Sequence, residues 1–361
     1  MKDLYLIFPD KISSGFAQII EEATSDYKLV TIDHALNIPD LRNKRILFAV
    51  ELDECGFNFS LFKIFYNLQK KGKEALANSQ GALIVQSQNQ LFTKNMARRI
   101  VFLSNLMGCK FFGHPLVEAT NDLSNFITWQ KIYGNLSLRE IYQKKANELV
   151  NRLVNERRSI IKDPKLLVLH SSSYKTSNTL QLWQMVKRNL AYENTKELHV
   201  ENGTIVDCRG CSYHTCIHYS EEKSCFYGGV MVEEILPAIE EADFILWLCP
   251  NYNDALSAKL MAVINRLTVL YKRVNFGEKT IFSIIVSGNS GSDCLAEQII
   301  GALNINKGFN LPSYFSLMAS ANDPDSIRKI KGIEKRAEEF ARRIYTEIEN
   351  RKKEINATQG D

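Results

Sequence analysis

The stretch CRGCSYHTCIHYSEEKSC, residues 208–225, holds four of the eight cysteines and two of the six histidines of the chain. Thiolates and imidazoles are metal ligands, and Cys208 and Cys211 stand on one tight turn that Gly210 suits, so both can reach the same ion. Cys216 and Cys225 can return from the following loop to complete a four-thiolate set of the kind that holds an iron–sulfur cluster. His214 or His218 would instead give a Cys/His zinc site. Clustered cysteines in a reducing compartment also serve as free or exchanging thiols, and the residues alone leave all three chemistries open. Cys55, Cys109 and Cys294 are isolated and read as small apolar packing residues, as does Cys249 at the end of an apolar run.

A second kind of chemistry is written in three loops. HSSSYKTSNT (170–179) places six Ser/Thr hydroxyls and an Asn between an apolar run and a helical pattern. Backbone N–H groups of a helix's first turn, its dipole and neighbouring hydroxyls together favour a phosphate there, whereas the plainest structural role for Ser177 or Asn178 is an N-cap. CPNYNDALSAKL (249–260) supplies a turn and one ring, Tyr252, able to lie against a planar ligand. VSGNSGSDC (286–294) has two glycines that let backbone approach a ligand closely. No Ser/His/Asp arrangement or paired-carboxylate motif is present, so hydrolysis is not expected and no catalytic side chain is assigned. His170 follows the first of these runs and reads as a structural imidazole beside the phosphate loop.

These loops need strands and helices to position them. Residues 4–8, 28–32, 45–50 and 82–85 read as buried strands, with helices over 13–23, 60–71 and 94–106, and residues 137–160 carry one apolar helical face. Lys162-Asp163-Pro164 marks a boundary. The pattern then restarts with strands at 165–170, 243–249 and 280–287, a helix from about 178 to 191, and a closing amphipathic helix over 325–352. The halves echo one another: LIVQSQNQ (83–90) and LVEATND (116–122) return 201 residues later as IIVSGNSG (284–291) and LMASAND (317–323). Strand–helix alternation predicts an α/β fold of two doubly wound parallel sheets in tandem with helices on both faces, divided into 1–161 and 162–361. Ligands of such sheets bind beyond the carboxyl ends of the strands, where these three loops lie.

The chain has 361 residues, 45% of them hydrophobic and 24% charged, enough for two soluble domains with cores of their own. A net charge of +4, spread over 45 basic and 41 acidic residues, is too diffuse to indicate nucleic acid or an anionic membrane. No apolar run approaches the roughly 20 residues of a spanning helix. The N-terminal residues lack a signal-peptide h-region and cleavage site, so a cytoplasmic protein is expected.

In residues 164–330 the chain resembles the NADPH-dependent FMN reductase branch of the flavodoxin-like superfamily, and within it the iron–sulfur flavoproteins. Ser177-Asn178-Thr179 match the end of that family's first loop, while Ser171 stands where the family has Gly, and Ser173-Tyr174 where it has Pro-Arg. EEADFILWLCPNYN matches the family's acidic helix, third strand and Pro-x-Tyr turn. The resemblance implies two flavodoxin-like sheets, the second binding FMN. Ser171, Ser172, Ser177, Asn178 and Thr179 would hold the phosphate, Pro250, Asn251, Tyr252 and Asn253 would line the isoalloxazine, and Ser287, Gly288, Asn289 and Gly291 would flank its far edge. It also implies an NAD(P)H oxidoreductase or electron-transfer flavoprotein. NAD(P)H or a protein would be the donor and the acceptor is unspecified. Cys208, Cys211, Cys216 and Cys225 would be the ligands of an iron–sulfur cluster, with zinc as the alternative; the third cysteine stands two residues later than in the family, whose position falls at His214. Relatives form homodimers or tetramers, and a tandem chain can form that interface with a second copy or within itself. The first half lacks the Ser-Asn-Thr element and reads as a degenerate copy, a partner surface or lid. The rival reading, in another class, is a non-catalytic flavodoxin-like binding or sensing module whose cysteine loop holds zinc or free thiols.

Overall fold

The computed structural model describes residues 2–10, 12–172, 176–201, 205–221 and 225–353. The chain divides into two compact units. Unit 1 is Met1–Arg157 with Asn304–Gly308, and unit 2 is Arg158–Leu303 with Phe309–Asp361.

Unit 1 is built from β1 (Asp3–Ile7), α1 (Ser14–Thr24), β2 (Lys28–Ile32), β3 (Arg45–Leu52), α2 (Phe59–Lys70), β4 (Gln80–Ser87), α3 (Thr93–Leu106), β5 (Lys110–Ala119), α4 (Ile127–Tyr133) and α5 (Leu138–Asn155). Its five strands are all parallel, in the order β2-β1-β3-β4-β5. One face of the sheet packs Leu6, Leu47, Ala49, Ala82 and Ile84 against Phe16, Ile20, Leu149 and Leu153 of α1 and α5. Each fully buried Leu, Ile or Phe among them contributes roughly 1.5–3 kcal/mol.

Unit 2 repeats the plan with β6 (Leu166–His170), α6 (Asn178–Asn189), β7 (Thr195–His199), α7 (Tyr213–Glu221), α8 (Leu236–Glu241), β8 (Phe244–Pro250), α9 (Ala258–Arg266), β9 (Thr280–Ser287), α10 (Ser292–Ile299), β10 (Ser316–Ser320) and α11 (Ile333–Lys352). Its parallel order is β7-β6-β8-β9-β10. Counted within each unit, both orders are 2-1-3-4-5, the flavodoxin-like arrangement, with its switch point between the first and third strands. β8 and β9 are buried at every position, as continuous apolar runs between two helical layers must be.

Several elements differ from the sequence expectation, each for a visible reason. β2 is an edge strand with only Ile32 buried, so its residues are not those of a buried strand. β5 goes unmarked because Gly113, His114 and Pro115 interrupt its apolar run; His114 sits at φ +53°, and the register shifts between Gly81 and Leu83. β7 is a short, half-exposed edge strand, TKELH, without an apolar run. α5 stops at Asn155, and the closing helix begins at Ile333, because Gly332 at φ +76° separates it from a 3-10 turn at Ser326–Lys329. Among the described residues no helix is long and apolar enough to cross a membrane.

Candidate functional site

At the carboxyl edge of the unit 2 sheet, the loops that follow the paired strands β6 and β8 begin at the switch point, where α/β proteins bind ligands. Ser171 and Ser172 leave β6 buried, at 3% and 7% exposure. The Ser171 hydroxyl lies 2.8 Å from that of Ser257, the N-cap of α9. The Lys259 ammonium, from the second residue of α9, donates to the Ser171 carbonyl at 3.1 Å. These contacts tie the first loop to the third strand's helix and bring a cation to its floor. The Ser172 Oγ, by contrast, is buried without a hydrogen-bond partner. An orphaned buried hydroxyl costs about 1–3 kcal/mol, so its presence fits a group that accepts from it.

Ser177 caps α6, its Oγ accepting from the Leu180 N–H at 3.4 Å. The N–H groups of Asn178 and Thr179 then face the loop with no helical carbonyl in reach. The Asn178 side chain does different work: its amide donates to the carbonyls of Ala321 (3.0 Å) and Asp323 (2.8 Å), and its oxygen accepts from the Ile327 N–H (3.2 Å). It therefore fixes the loop after β10 beside the start of α6. Thr179 is buried. Ser173 and Tyr174 lie outside the described residues.

After β8, Tyr252 and Ala255 exchange two 3.2 Å backbone hydrogen bonds around Asn253 and Asp254, both at φ +55°, which makes a two-residue turn suited to Asn and Asp. Tyr252 is 55% exposed, its ring free at the tip. The Asn251 amide donates to Ser287 Oγ (3.0 Å), Asp254 (3.1 Å) and the Ser290 carbonyl (3.2 Å), lacing the β8 and β9 loops together. Ser287 is buried and pairs with Ser292 at 2.7 Å. Gly288 approaches Asn322, and Gly291 adopts φ +86° with Asp254 and Asn251 where a Cβ would stand. The structure thus gathers the three predicted loops at one edge, with Pro250 ending β8 and Asn253 and Asn289 in the loops that follow β8 and β9.

Two imidazoles stand at the same edge. His170 and His199 end the paired strands β6 and β7 and stack at 4.8 Å with 10° between their planes. His170 Nδ1 and His199 Nε2 are buried without partners. Burial, and then the neighbouring His199, hold the His170 pKa below the ordinary value. Sequence reasoning missed Ser257, Lys259 and His199 as parts of this edge. The only available signal for the first two was their place at the start of the helix after the third strand.

The four cysteines of the 208–225 loop line one cavity of about 220 Å³, with Tyr213, Tyr219 and Tyr227. Cys208 and Cys211 are exposed, Cys216 and Cys225 half-buried, and the Cys211 thiol lies 3.9 Å from the Tyr227 hydroxyl. Residues 222–224 lie outside the described chain. Among the described residues no three His, Cys, Asp or Glu side chains are placed to share a metal ion, so the loop gathers the sulfurs without arranging them as ligands. Asn265, Arg266, Thr268 and Val269 also line the cavity, at the end of α9 opposite its N-cap Ser257.

Residues 164–323 match the family model of NADPH-dependent FMN reductase. The match covers 160 of the chain's 361 residues. No curated protein matches the chain. Among solved structures, the chain is similar to RosB with its bound intermediate 8-demethyl-8-formylriboflavin-5'-phosphate: 15% identity over 53% of this chain and 82% of that one, TM-score 0.40. It is similar to an azoreductase from Bacillus anthracis str. Sterne (13% identity, 51% of this chain, 99% of that one, TM-score 0.39). It is also similar to the flavodoxin, a WrbA-like protein, from Agrobacterium tumefaciens (12% identity, 52% of this chain, 99% of that one, TM-score 0.34).

Proposed function

We propose that unit 2 binds FMN at the carboxyl edge of its sheet and that the protein is an NAD(P)H-dependent FMN oxidoreductase passing electrons to an acceptor. The observation that carries this reading is the buried, unpartnered Ser172 hydroxyl beside the N-terminus of α6, in a domain that matches the FMN reductase family model. The N–H groups of Asn178 and Thr179, the hydroxyls of Ser172 and Ser177 and the ammonium of Lys259 supply donors and positive potential for a phosphate. Ser171, whose hydroxyl is turned to Ser257, shapes the loop floor. Pro250 to Asn253 present Tyr252 to a planar ring, and Ser287 to Gly291 give a backbone wall that the glycines allow to come close. When bound, FMN supplies the hydride and electron chemistry; the side chains position it and exclude water, and none need move a proton.

Residues 162–361 form the flavin-binding domain in this reading, and residues 1–161 a copy without a flavin. The lining of one cavity by four cysteines supports a second electron-carrying or zinc-holding centre there, as the resemblance implies. No step is derived through such a group, since the thiols do not stand as a ligand set. Full-length protein, reconstituted with FMN, should oxidise NADPH, and Ser172→Ala with Ser177→Ala should lose bound flavin. Flavin content unchanged in that double variant would sink the assignment. Iron and zinc analysis of anaerobically purified protein, repeated on Cys208→Ser/Cys211→Ser, decides what the loop holds.

A further inference from the structure

The two units share one strand order but differ at the place where an anion binds. In unit 1 the helix after the first strand is α1, capped by Ser13 as α6 is capped by Ser177. The Glu51 carboxylate, at the end of β3, reaches that cap: Oε2 accepts from the Ser13 N–H at 2.6 Å and Oε1 from the Ser13 hydroxyl at 2.8 Å. Gln86 of β4 donates a third bond to Oε1 at 3.0 Å. A second carboxylate in the loop after β1, Asp10, accepts from Ser60 at the start of α2.

The counterpart of Glu51 in unit 2 is Asn251. Glu51 pairs in register with Gln86, and Pro250 with Val286, which sets Asn251 opposite Ser287, 201 residues after Gln86. Asn251 is neutral, one methylene shorter, and turned toward the β9 loop. Where unit 2 leaves Ser172 Oγ unpartnered, unit 1 has a carboxylate with three charge-assisted hydrogen bonds at a helix N-terminus.

We propose that Glu51 is a built-in anion: it occupies in unit 1 the position that a ligand phosphate takes in unit 2, and keeps the first sheet's switch point closed to phosphate-bearing ligands. The inference rests on the proposed phosphate site of unit 2 for its comparison, but the closure itself is read within unit 1. It implies one FMN per chain. It also gives the cap of α1 a partner of its own, since the Ser13 N–H and hydroxyl both donate to the Glu51 carboxylate.

Inorganic phosphate, titrated into full-length protein with backbone amide exchange followed by residue, tests this. In the wild type the Ser13 amide should be protected without phosphate and its exchange should not change when phosphate is added. In Glu51→Asn, which installs the unit 2 residue, exchange at the start of α1 should become phosphate-dependent, with affinity at least about tenfold above wild type. Phosphate-dependent protection of Ser13 in the wild type would overturn the proposal, and so would a folded Glu51→Asn protein whose α1 amides ignore phosphate. The wild-type result stands even if the variant fails to fold. The amides of residues 177–179 report on unit 2 in the same experiment, so failure of its phosphate site is seen separately from failure of the Glu51 closure.

Discussion

Ser172 and Ser177 stand five residues apart in one loop, yet their hydroxyls have different duties and should respond differently to deletion. Ser172→Ala removes a group with no partner in the free protein, so thermal stability should hold or rise slightly while FMN affinity falls about 10- to 100-fold, the worth of one hydrogen bond to a charged group. Ser177→Ala removes an N-cap and should cost about 1 kcal/mol of stability before any flavin is added. Melting curves with and without FMN separate the two. His170 gives a pH signature. Burial lowers its folded pKa, so the unfolded imidazole takes a proton first. Stability is therefore complete above the unfolded value of about 6.5 and declines as pH falls below it, until the folded pKa is passed. His114 in unit 1 is shifted the same way, again chiefly by burial. A Tm measured from pH 7.5 to 5 should fall, and less so in His170→Asn; a flat profile would contradict the burial argument. Thiol labelling adds a third check. Burial pushes the Cys109 thiol up to about 12 and the Cys249 thiol up as well, so both should resist alkylation at pH 8 in folded protein while exposed Cys208 and Cys211 react. At this scale the sequence displayed the hydroxyls but not their assignments: the partners of Asn178 lie 143 to 149 residues away, beyond any local pattern.

Between elements, the β8 and β9 loops are joined by one side chain. Asn251→Ala should release Ser287, Asp254 and the Ser290 carbonyl together, costing about 1–3 kcal/mol and loosening the proposed ring-binding turn. Gly291→Ala should be poorly tolerated, because φ +86° is strained for alanine and its Cβ would displace Asp254. A urea unfolding midpoint for each variant reads these costs. The continuous apolar runs that became β8 and β9 were plain in the sequence because burial on both faces demands them. β7 and β10, at the sheet edges, and β5, broken by its bulge, needed their neighbours to become strands, and single-sequence periodicity carries no record of a neighbour.

At the scale of the molecule, the internal echo of 201 residues corresponds to two sheets of the same strand order. The repeated strand plan was legible; the difference between the two switch points was not. It depends on whether a carboxylate or an amide at the end of the third strand turns to the helix cap or away from it, and only coordinates report that. The measurement that bears most directly on the account is an anaerobic titration of the colourless, flavin-free protein with FMN, followed by NADPH. One equivalent should bind, with its absorbance shifted from that of free flavin, and bleach on reduction. Protein that takes up no FMN would contradict the account.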